Sequence, residues 1–472
     1  MSSKFTKLII FLISVCSLES VGSVRMTESR AANEKVAVIG GGLVGTLHAI
    51  MLAQKGFLVD LYEARPDIRQ LQHVRGRSFN LAISVRGREA LRAVGLEDTV
   101  LEMAIPMTGR MIHSLSGKMS AQPYGRKGQS IYSIDRRKLN ELLLTNAEGK
   151  HGISVHFEHK LTRANLEEKT LVFQVGQENF QEKIVKTDFI FGCDGVYSTV
   201  RRQMMRWGRL NYSQEYIEHG YKELTMPNED FAFPVNYLHI WPRQEFMMVA
   251  LPNWDRSFTL TLFMPFKIFE SIETEEELLA FFTKHFPDSV DKIGVERLVQ
   301  DYFRNPTGKL SSVKCYPHFM AGSTVILGDA AHALVPFYGQ GMNAGFEDCL
   351  IFCSLLEQFD NDLHKAATNY SVTRWKDSYA IVDLSLYNYM EMSTHVNSRI
   401  FLLRKYLDNI LHAFLPRTFI PLYTMVAFTR LPYHTAVERN HRQKSIINRT
   451  LLLLTVLSLS TIGYVAFRYI RL

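Results

Sequence analysis

Between Lys35 and Arg65 the chain passes through three patterns in quick succession. "KVAVIG" is an unbroken apolar run, as in a parallel strand covered on both faces. "LHAIMLAQKG" repeats its apolar residues at helical spacing and stops on Gly56. "FLVDLYEA" is strand-like again, so the segment predicts a β-α-β unit. Further on, Leu139, Leu142 and Leu143 share one face of an amphipathic helix over Asp135 to Gly149. "FIFGCDG" reads as another strand ending in a turn. From Tyr212 to Phe266 the texture changes to alternating or aromatic-rich strands, "NYLHIWP", "FMMVALP" and "FTLTLFMPF", which predict an antiparallel sheet inserted into the first domain. "TVILGDAA" restores the buried-strand pattern, and "GMNAGFEDCLIFCSLLEQF" reads as a helix. Leu363 to Lys444 is mostly helical and aromatic, and no repeat or low-complexity segment interrupts it.

Two apolar runs stand outside this scheme. "LLLLTVLSLSTIGYVAF", Leu451 to Phe467, is apolar all round and flanked by Arg449 and Arg468. At 1.5 Å per residue it covers roughly 25 Å, the short limit for a bilayer span. A buried core helix is the alternative; the basic flanks favour a membrane anchor. Such a short span suits the mitochondrial outer membrane, with the preceding domains facing the cytosol, or the endoplasmic reticulum. At the other end, "KFTKLIIFLISVCSLES" resembles a secretory signal. Lumenal export conflicts with five sparse cysteines, Cys16, Cys193, Cys315, Cys349 and Cys353, which read as reduced thiols. We therefore expect a start at Met26 or a dispensable leader.

A chain of 472 residues calls for two or three domains, and 46% apolar with 21% charged residues is ordinary globular composition. The net charge of +7 comes from scattered residues, so nucleic-acid binding is not expected.

Three motifs carry chemistry. Gly40, Gly42 and Gly45 form G-x-G-x-x-G between strand and helix, a turn whose helix N-terminus receives a pyrophosphate. Glu63 closes the second strand, where a carboxylate accepts from ribose hydroxyls and disfavours a 2′-phosphate. The ligand is a dinucleotide, FAD or NAD. "CDGVYSTVRR" holds Asp194, Gly195, Ser198 and Arg201, and alone reads as a structural turn. In "LGDAAHALVPFYGQGMNAGFED", Asp329 follows a buried strand and a glycine loop opens a helix. "GQGMNAG" has one residue too many for a second fingerprint, so one dinucleotide is expected in one Rossmann-type unit.

These motifs, in this order, resemble the flavoprotein aromatic hydroxylase family. In that family the first motif binds the ADP part of FAD, and the Asp-Gly motif, here Asp194, contacts both FAD and NADPH. The resemblance puts Asp329 at the flavin ribose, Met342 and Asn343 at the flavin ring, and Arg136 on FAD. The implied cofactor contacts extend to Val44, Tyr62, Ala64, Arg65, Ala82 and Leu161. "RGRSFNLAIS", "GRMIHSLSGK", "YLHIWPR" and "FIPLYTMVAF" narrow the likeness to members acting on L-kynurenine, over Lys35 to Arg449 and the C-terminal apolar segment. The fold class implied is α/β, a Rossmann-like FAD-binding domain over 34–205 and 320–370 with an antiparallel-sheet substrate domain inserted at 206–319. A helical region over 371–447 and a transmembrane helix over 448–472 follow, with 1–33 as an extension. The implied activity is NADPH- and O₂-dependent ring hydroxylation of L-kynurenine to 3-hydroxykynurenine.

By the same resemblance, Arg110, Tyr124, Asn388 and Tyr423 grip the amino-acid end of the substrate. Phe337, Tyr338 and Gln340 lie between flavin and substrate, and Glu391 is a further wall residue. A hairpin around Ser116-Gly117 is expected to set Arg110 opposite Tyr124. His332 reads as a packing or hydrogen-bonding residue rather than a base. Cys349 and Cys353 read as packing positions, Glu347 and Asp348 as solvated ones, and no metal site is expected. An epoxidase or isoprenoid reductase with an apolar pocket, and a non-enzymatic relative binding prenylated GTPases, stay open. Oligomeric state is not legible.

Overall fold

The computed structural model describes residues 34–71, 80–125, 128–176, 180–227, 233–393, 410–412 and 414–470. The leader with Met26, the first half of "RGRSFNLAIS" and part of the C-terminal helical region lie outside the described residues.

The predicted β-α-β unit is strand Lys35–Ile39, helix Leu43–Gln54 and strand Leu58–Tyr62. It forms the centre of a six-stranded sheet in the order Phe319–Met320, Thr324–Ile326, Phe189–Gly192, Lys35–Ile39, Leu58–Tyr62, Ile153–His156. All neighbours are parallel except the Phe319–Met320 edge. Alternate residues of "KVAVI" enter different cores. Val36 and Val38 pack with Leu52, Phe352 and Tyr370, whereas Ala37 and Ile39 pack with Tyr62, Val200 and Met204. Burial on both faces explains the unbroken apolar run.

The second sheet has seven strands in the order Gly308–Tyr316, Asn211–Met226, Phe258–Pro265, Phe246–Pro252, Tyr237–Arg243, Gly109–His113, Met119–Pro123. Its last two strands come from an earlier part of the chain. Gly109–His113 joins by a parallel pairing with Tyr237–Arg243, at the edge of an otherwise antiparallel ladder. One face packs Trp241, Met248 and Leu262 against Leu278, Phe282 and Leu298 of the helices that follow. The other face packs Ile112, Ile240 and Phe263 against Phe337. The sheet thereby forms one wall of the space beside the glycine loop.

The hairpin register differs from expectation. The turn closes with Ser114 N donating to Lys118 O, which pairs Arg110 with Gln122 rather than with Tyr124. Tyr124 N instead donates to Thr108 O. Placing the three-residue loop one position early keeps Arg110 and Tyr124 on one face, as diagonal neighbours.

The C-terminal half is built on helices Gly341–Gln358, Leu363–Ser393 and Tyr433–Ile470. The last runs unbroken for 38 residues. Tyr433 and Ala436 are buried, whereas Leu451 to Tyr464 is exposed throughout. Among the described residues this is the one helix long and apolar enough to cross a membrane.

Candidate active site

The fingerprint loop meets the geometry a pyrophosphate needs. Gly40 has φ +110°, and a Cβ there would sit 2.4 Å from the Cys193 carbonyl oxygen. A Cβ on Gly45 would lie 2.0 Å from Gly40 O, so helix and strand approach as only glycine allows. Gly42 faces open space and no side chain caps the helix that starts after it. Uncapped N–H groups beside open space suit an anion. Glu63 is buried and accepts from Gly41 N at 2.8 Å, Arg65 N at 2.9 Å and Arg65 Nε at 2.7 Å. Gly41, Glu63, Arg65, Asn140 and Phe157 line a small cleft next to exposed Ala64. Tyr62 and Leu161 point elsewhere. The Tyr62 ring stacks on Phe173 at 4.3 Å and on His156 at 4.7 Å, with Leu161 in the same core.

Val44 connects this loop to the second half of the site. A Cβ on Gly328 would come within 3.1 Å of Val44, and one on Gly345 within 2.5 Å. Two glycines of the third motif therefore close on one valine of the first. Asp329 opens the short helix Asp329–His332, exposed and under the electrostatic pull of Arg136, itself exposed. Gly339, at φ +64°, turns the chain into the Gly341–Gln358 helix, whose N-terminus lacks a side-chain cap. Met342 is buried. Asn343 clamps the loop. Its Oδ1 accepts from Ser84 N at 2.8 Å, and its Nδ2 donates to Ala82 O at 2.7 Å and Gly339 O at 2.8 Å. Its side chain is thus engaged by protein, and the first turn offers backbone N–H groups with a positive dipole end. Asp194 is engaged too, accepting from Ser198 Oγ at 2.5 Å and from Thr199 N at 2.6 Å.

Beside the loop, three distant segments bring Arg110, Tyr124, Tyr338 and Tyr423 together. The rings of Tyr124 and Tyr423 stack at 5.0 Å, and those of Tyr338 and Tyr423 at 5.7 Å. The Arg110 guanidinium lies 4.8 Å from the Tyr423 ring and 5.9 Å from Tyr124. Arg110 is 7% exposed and Tyr124 8%, yet Arg110 Nε and Tyr124 Oη have no hydrogen-bond partner among the described residues. Burial raises the Tyr124 phenol well above its usual value, with the Tyr423 hydroxyl adding to this, so it stays a donor. Glu391 acts electrostatically on both Arg110 and Tyr338. Asn388 sits one layer back, its Nδ2 donating to Phe337 O at 2.6 Å. Phe337 packs edge-on to Phe263 of the sheet, and Gln340 accepts from Tyr433 Oη at 3.2 Å.

A buried charge network beneath the loop is absent from the sequence reading. Glu347 and Asp348, expected to be solvated, are 2% and 0% exposed. Asp348 accepts from Arg374 Nε at 2.7 Å, Gly328 N at 2.8 Å and His332 Nε2 at 2.6 Å. Glu347 accepts from Arg86 Nη1 at 2.5 Å and from Arg374 Nη1 at 3.1 Å. Burial alone would raise the Asp348 carboxyl; His332 and Arg374 more than reverse that and hold it below the usual carboxylate range. A signal was present. Met342, Ala344, Phe346, Leu350, Ile351 and Phe352 put apolar residues on every side of the helix, so no polar face remains for two acids.

Residues 33–366 match the family described as FAD binding domain. The chain is 52% identical over 439 residues to the kynurenine 3-monooxygenase of Sus scrofa, covering 92% of this chain and 93% of that one. It is 48% identical over 441 residues to the kynurenine 3-monooxygenase of Anopheles gambiae, covering 93% and 90%. In fold it resembles PqsL of P. aeruginosa in complex with 2-aminobenzoylacetate, with a TM-score of 0.64, 17% identity and coverage of 76% of this chain and 96% of that one. The chain belongs to the kynurenine 3-monooxygenase family of FAD-binding flavoproteins.

Proposed function

We propose that this protein hydroxylates L-kynurenine to 3-hydroxykynurenine, with FAD as resident cofactor and NADPH and O₂ as co-substrates. The observation that carries the pocket assignment is the buried Arg110, whose Nε lacks a hydrogen-bond partner among the described residues, beside the Tyr124 hydroxyl, which lacks one among them too. A buried cation with free donors, walled by stacked tyrosines, suits a carboxylate on an aromatic amino acid. Arg110 takes that carboxylate, Tyr124 and Tyr423 add donors, and Glu391 faces the ammonium group. Asn388 positions Phe337, which with Tyr338 and Gln340 walls the ring against the flavin side. An epoxidase of apolar substrates would have no use for this cation.

Bound FAD supplies the electron transfer and oxygen activation. The protein orients and encloses. Gly40, Gly42, Gly45 and Glu63 hold the adenosine and pyrophosphate end, with Val44, Ala64 and Arg65 alongside. Asp329 and Arg136 hold the ribityl side, while Met342 and Asn343 present helix N–H groups to the pyrimidine edge, where reduction places negative charge. Tyr62, Ala82 and Leu161 contribute backbone, and Asp194 fixes the turn beneath. No side chain acts as nucleophile. The exposed end of the Tyr433–Ile470 helix anchors the enzyme in a membrane, which we assign to the mitochondrial outer membrane with the catalytic part facing the cytosol.

The test is NADPH oxidation and product mass in detergent-purified protein, with and without kynurenine. Substrate-dependent gain of one oxygen supports the reading, and its absence refutes it. Arg110→Ala is expected to raise kynurenine Kd at least about a hundredfold while flavin content stays unchanged.

A further inference from the structure

The strand that supplies Arg110 is short and thinly supported on one side. Gly109–His113 runs between the parallel strand Tyr237–Arg243 and the largely exposed strand Met119–Pro123. Its side chains alternate between two faces. Arg110 faces the stacked tyrosines, and Ile112 joins the core of Ile240, Phe263 and Phe337. His113 leaves from the opposite face, where its ring stacks on Trp241 at 3.9 Å and meets Phe233 edge-on at 4.9 Å.

A polar trio is buried on that far face, and the pocket chemistry leaves it unused. His113 Nδ1 contacts Asp288 Oδ2 at 2.5 Å, and His113 Nε2 contacts His239 Nδ1 at 2.8 Å. His239 Nε2 donates to Pro234 O at 2.8 Å, and Trp241 Nε1 donates to Asp288 Oδ1 at 2.9 Å. Both histidines are fully buried, and the Asp288 side chain is 16% exposed. Hydrogen-bond roles fix the proton count. A carbonyl only accepts, so His239 Nε2 carries a proton, and each of the two contacts beyond it needs another. Two neutral imidazoles bring two protons, so the third makes the trio an ion pair that is neutral overall. Removing one member would strand the charge of the others, which holds all three in place.

The trio joins three parts of the chain at the end of the Arg110 strand. Asp288 comes from helix Pro287–Ile293, and His239 from the neighbouring strand, opposite Met111. The hairpin tip closes over it, because a Cβ on Gly117 would lie 3.4 Å from the Asp288 Cβ. Arg243 tethers the backbone at the same end, donating to His113 O at 3.1 Å and Ser114 O at 3.4 Å. In contrast, Arg110 Nε has no hydrogen-bond partner among the described residues, so its strand does much to decide where the guanidinium stands.

We infer that His113, Asp288 and His239 are positioning residues for substrate binding, locking the Arg110 strand so that the guanidinium meets the substrate carboxylate. The inference rests on the role proposed for Arg110. The trio acts from the far face of the sheet, through the strand.

The test titrates full-length FAD-loaded enzyme in detergent with kynurenine, without NADPH, and reads Kd from the change in flavin absorbance. Asp288→Ala and His113→Phe are each expected to raise Kd about fivefold or more, with flavin content and kcat near wild type. Asp288→Asn should keep Kd within about twofold of wild type, because its amide donates to His113 Nδ1 and accepts from Trp241 Nε1. In an Arg110→Ala background, Asp288→Ala or His113→Phe should add no further loss, since each acts only through that guanidinium. Wild-type Kd in both single variants, no recovery in Asp288→Asn, or additive losses in the double variants overturns the inference. Arg110→Ala with wild-type Kd refutes the carboxylate-binding role itself, a result distinguishable from these.

Discussion

Arg374→Met offers the sharpest test of what holds the flavin loop. Arg374, 2% exposed, donates to Asp348 at 2.7 Å, to Glu347 at 3.1 Å and to Ala344 O at 3.1 Å. Methionine fills much of the volume but leaves two buried carboxylates short of a cation. Breaking a buried pair from one side costs about 3–5 kcal/mol. We place this variant at the lower end, because Glu347 keeps Arg86 and Asp348 keeps His332 and Gly328 N. The expected loss is about 3 kcal/mol, read from urea unfolding of the detergent-solubilised enzyme at pH 7. Sign follows from Asp348. Its folded pKa lies below the unfolded value of about 3.9, so the stabilisation is complete at neutral pH and fades only as pH falls below that value. Adding Asp348→Asn should cost less than the sum of the single losses, with coupling of about 1–2 kcal/mol. A single-variant loss under about 1 kcal/mol, or strict additivity, would refute the claim that these charges work as one network.

Tyr423→Phe removes a hydroxyl while keeping the ring between Tyr124 and Tyr338; kynurenine KM should rise about tenfold, with FAD content and kcat near wild type. An unchanged KM would remove Tyr423 from the substrate contacts. Gly45→Ala puts a methyl 2.0 Å from Gly40 O, and the purified protein should lack flavin absorbance. Stoichiometric flavin in that variant would contradict the close approach. The His48 and His318 rings are fully buried without hydrogen-bond partners among the described residues, and burial pushes each pKa down to about 3. Below pH 6.5 the unfolded chain gains protons that the folded one refuses, so each histidine costs about 2 kcal/mol by pH 5. His318→Phe should flatten the fall in stability between pH 6.5 and 5, and parallel profiles for variant and wild type would sink the assignment.

Local pattern was enough to read the strand–helix–strand unit, the strands Tyr237–Arg243, Phe246–Pro252 and Phe258–Pro265, and the fingerprint turn. Each of these depends on residues near in sequence. What stayed hidden depends on distant pairing. The place of the Gly109–His113 hairpin at the edge of the second sheet is set by a parallel partner more than a hundred residues away. Its register turned on one residue of turn geometry that Ser114 and Lys118 decide. The burial of Glu347 and Asp348 becomes evident only once Arg86 and Arg374 are seen to converge on them. Asn388 and Tyr423 could be singled out only by resemblance, because a lone amide or phenol on a helix carries no periodic signal.

The helix from Tyr433 to Ile470 has a mechanical corollary. Its first residues are bolted to the loop and to the Leu363–Ser393 helix, Tyr433 to Gln340 and His434 to Asp377 at 2.6 Å. Its far half is bare and apolar. With 38 residues and no break it is a rod of about 57 Å. Once the bare half enters a bilayer, the body cannot swivel on a slack tether. The tilt that lipid thickness imposes on the rod becomes the attitude of the pocket mouth above the membrane, and a change of bilayer acts as torque on the glycine loop.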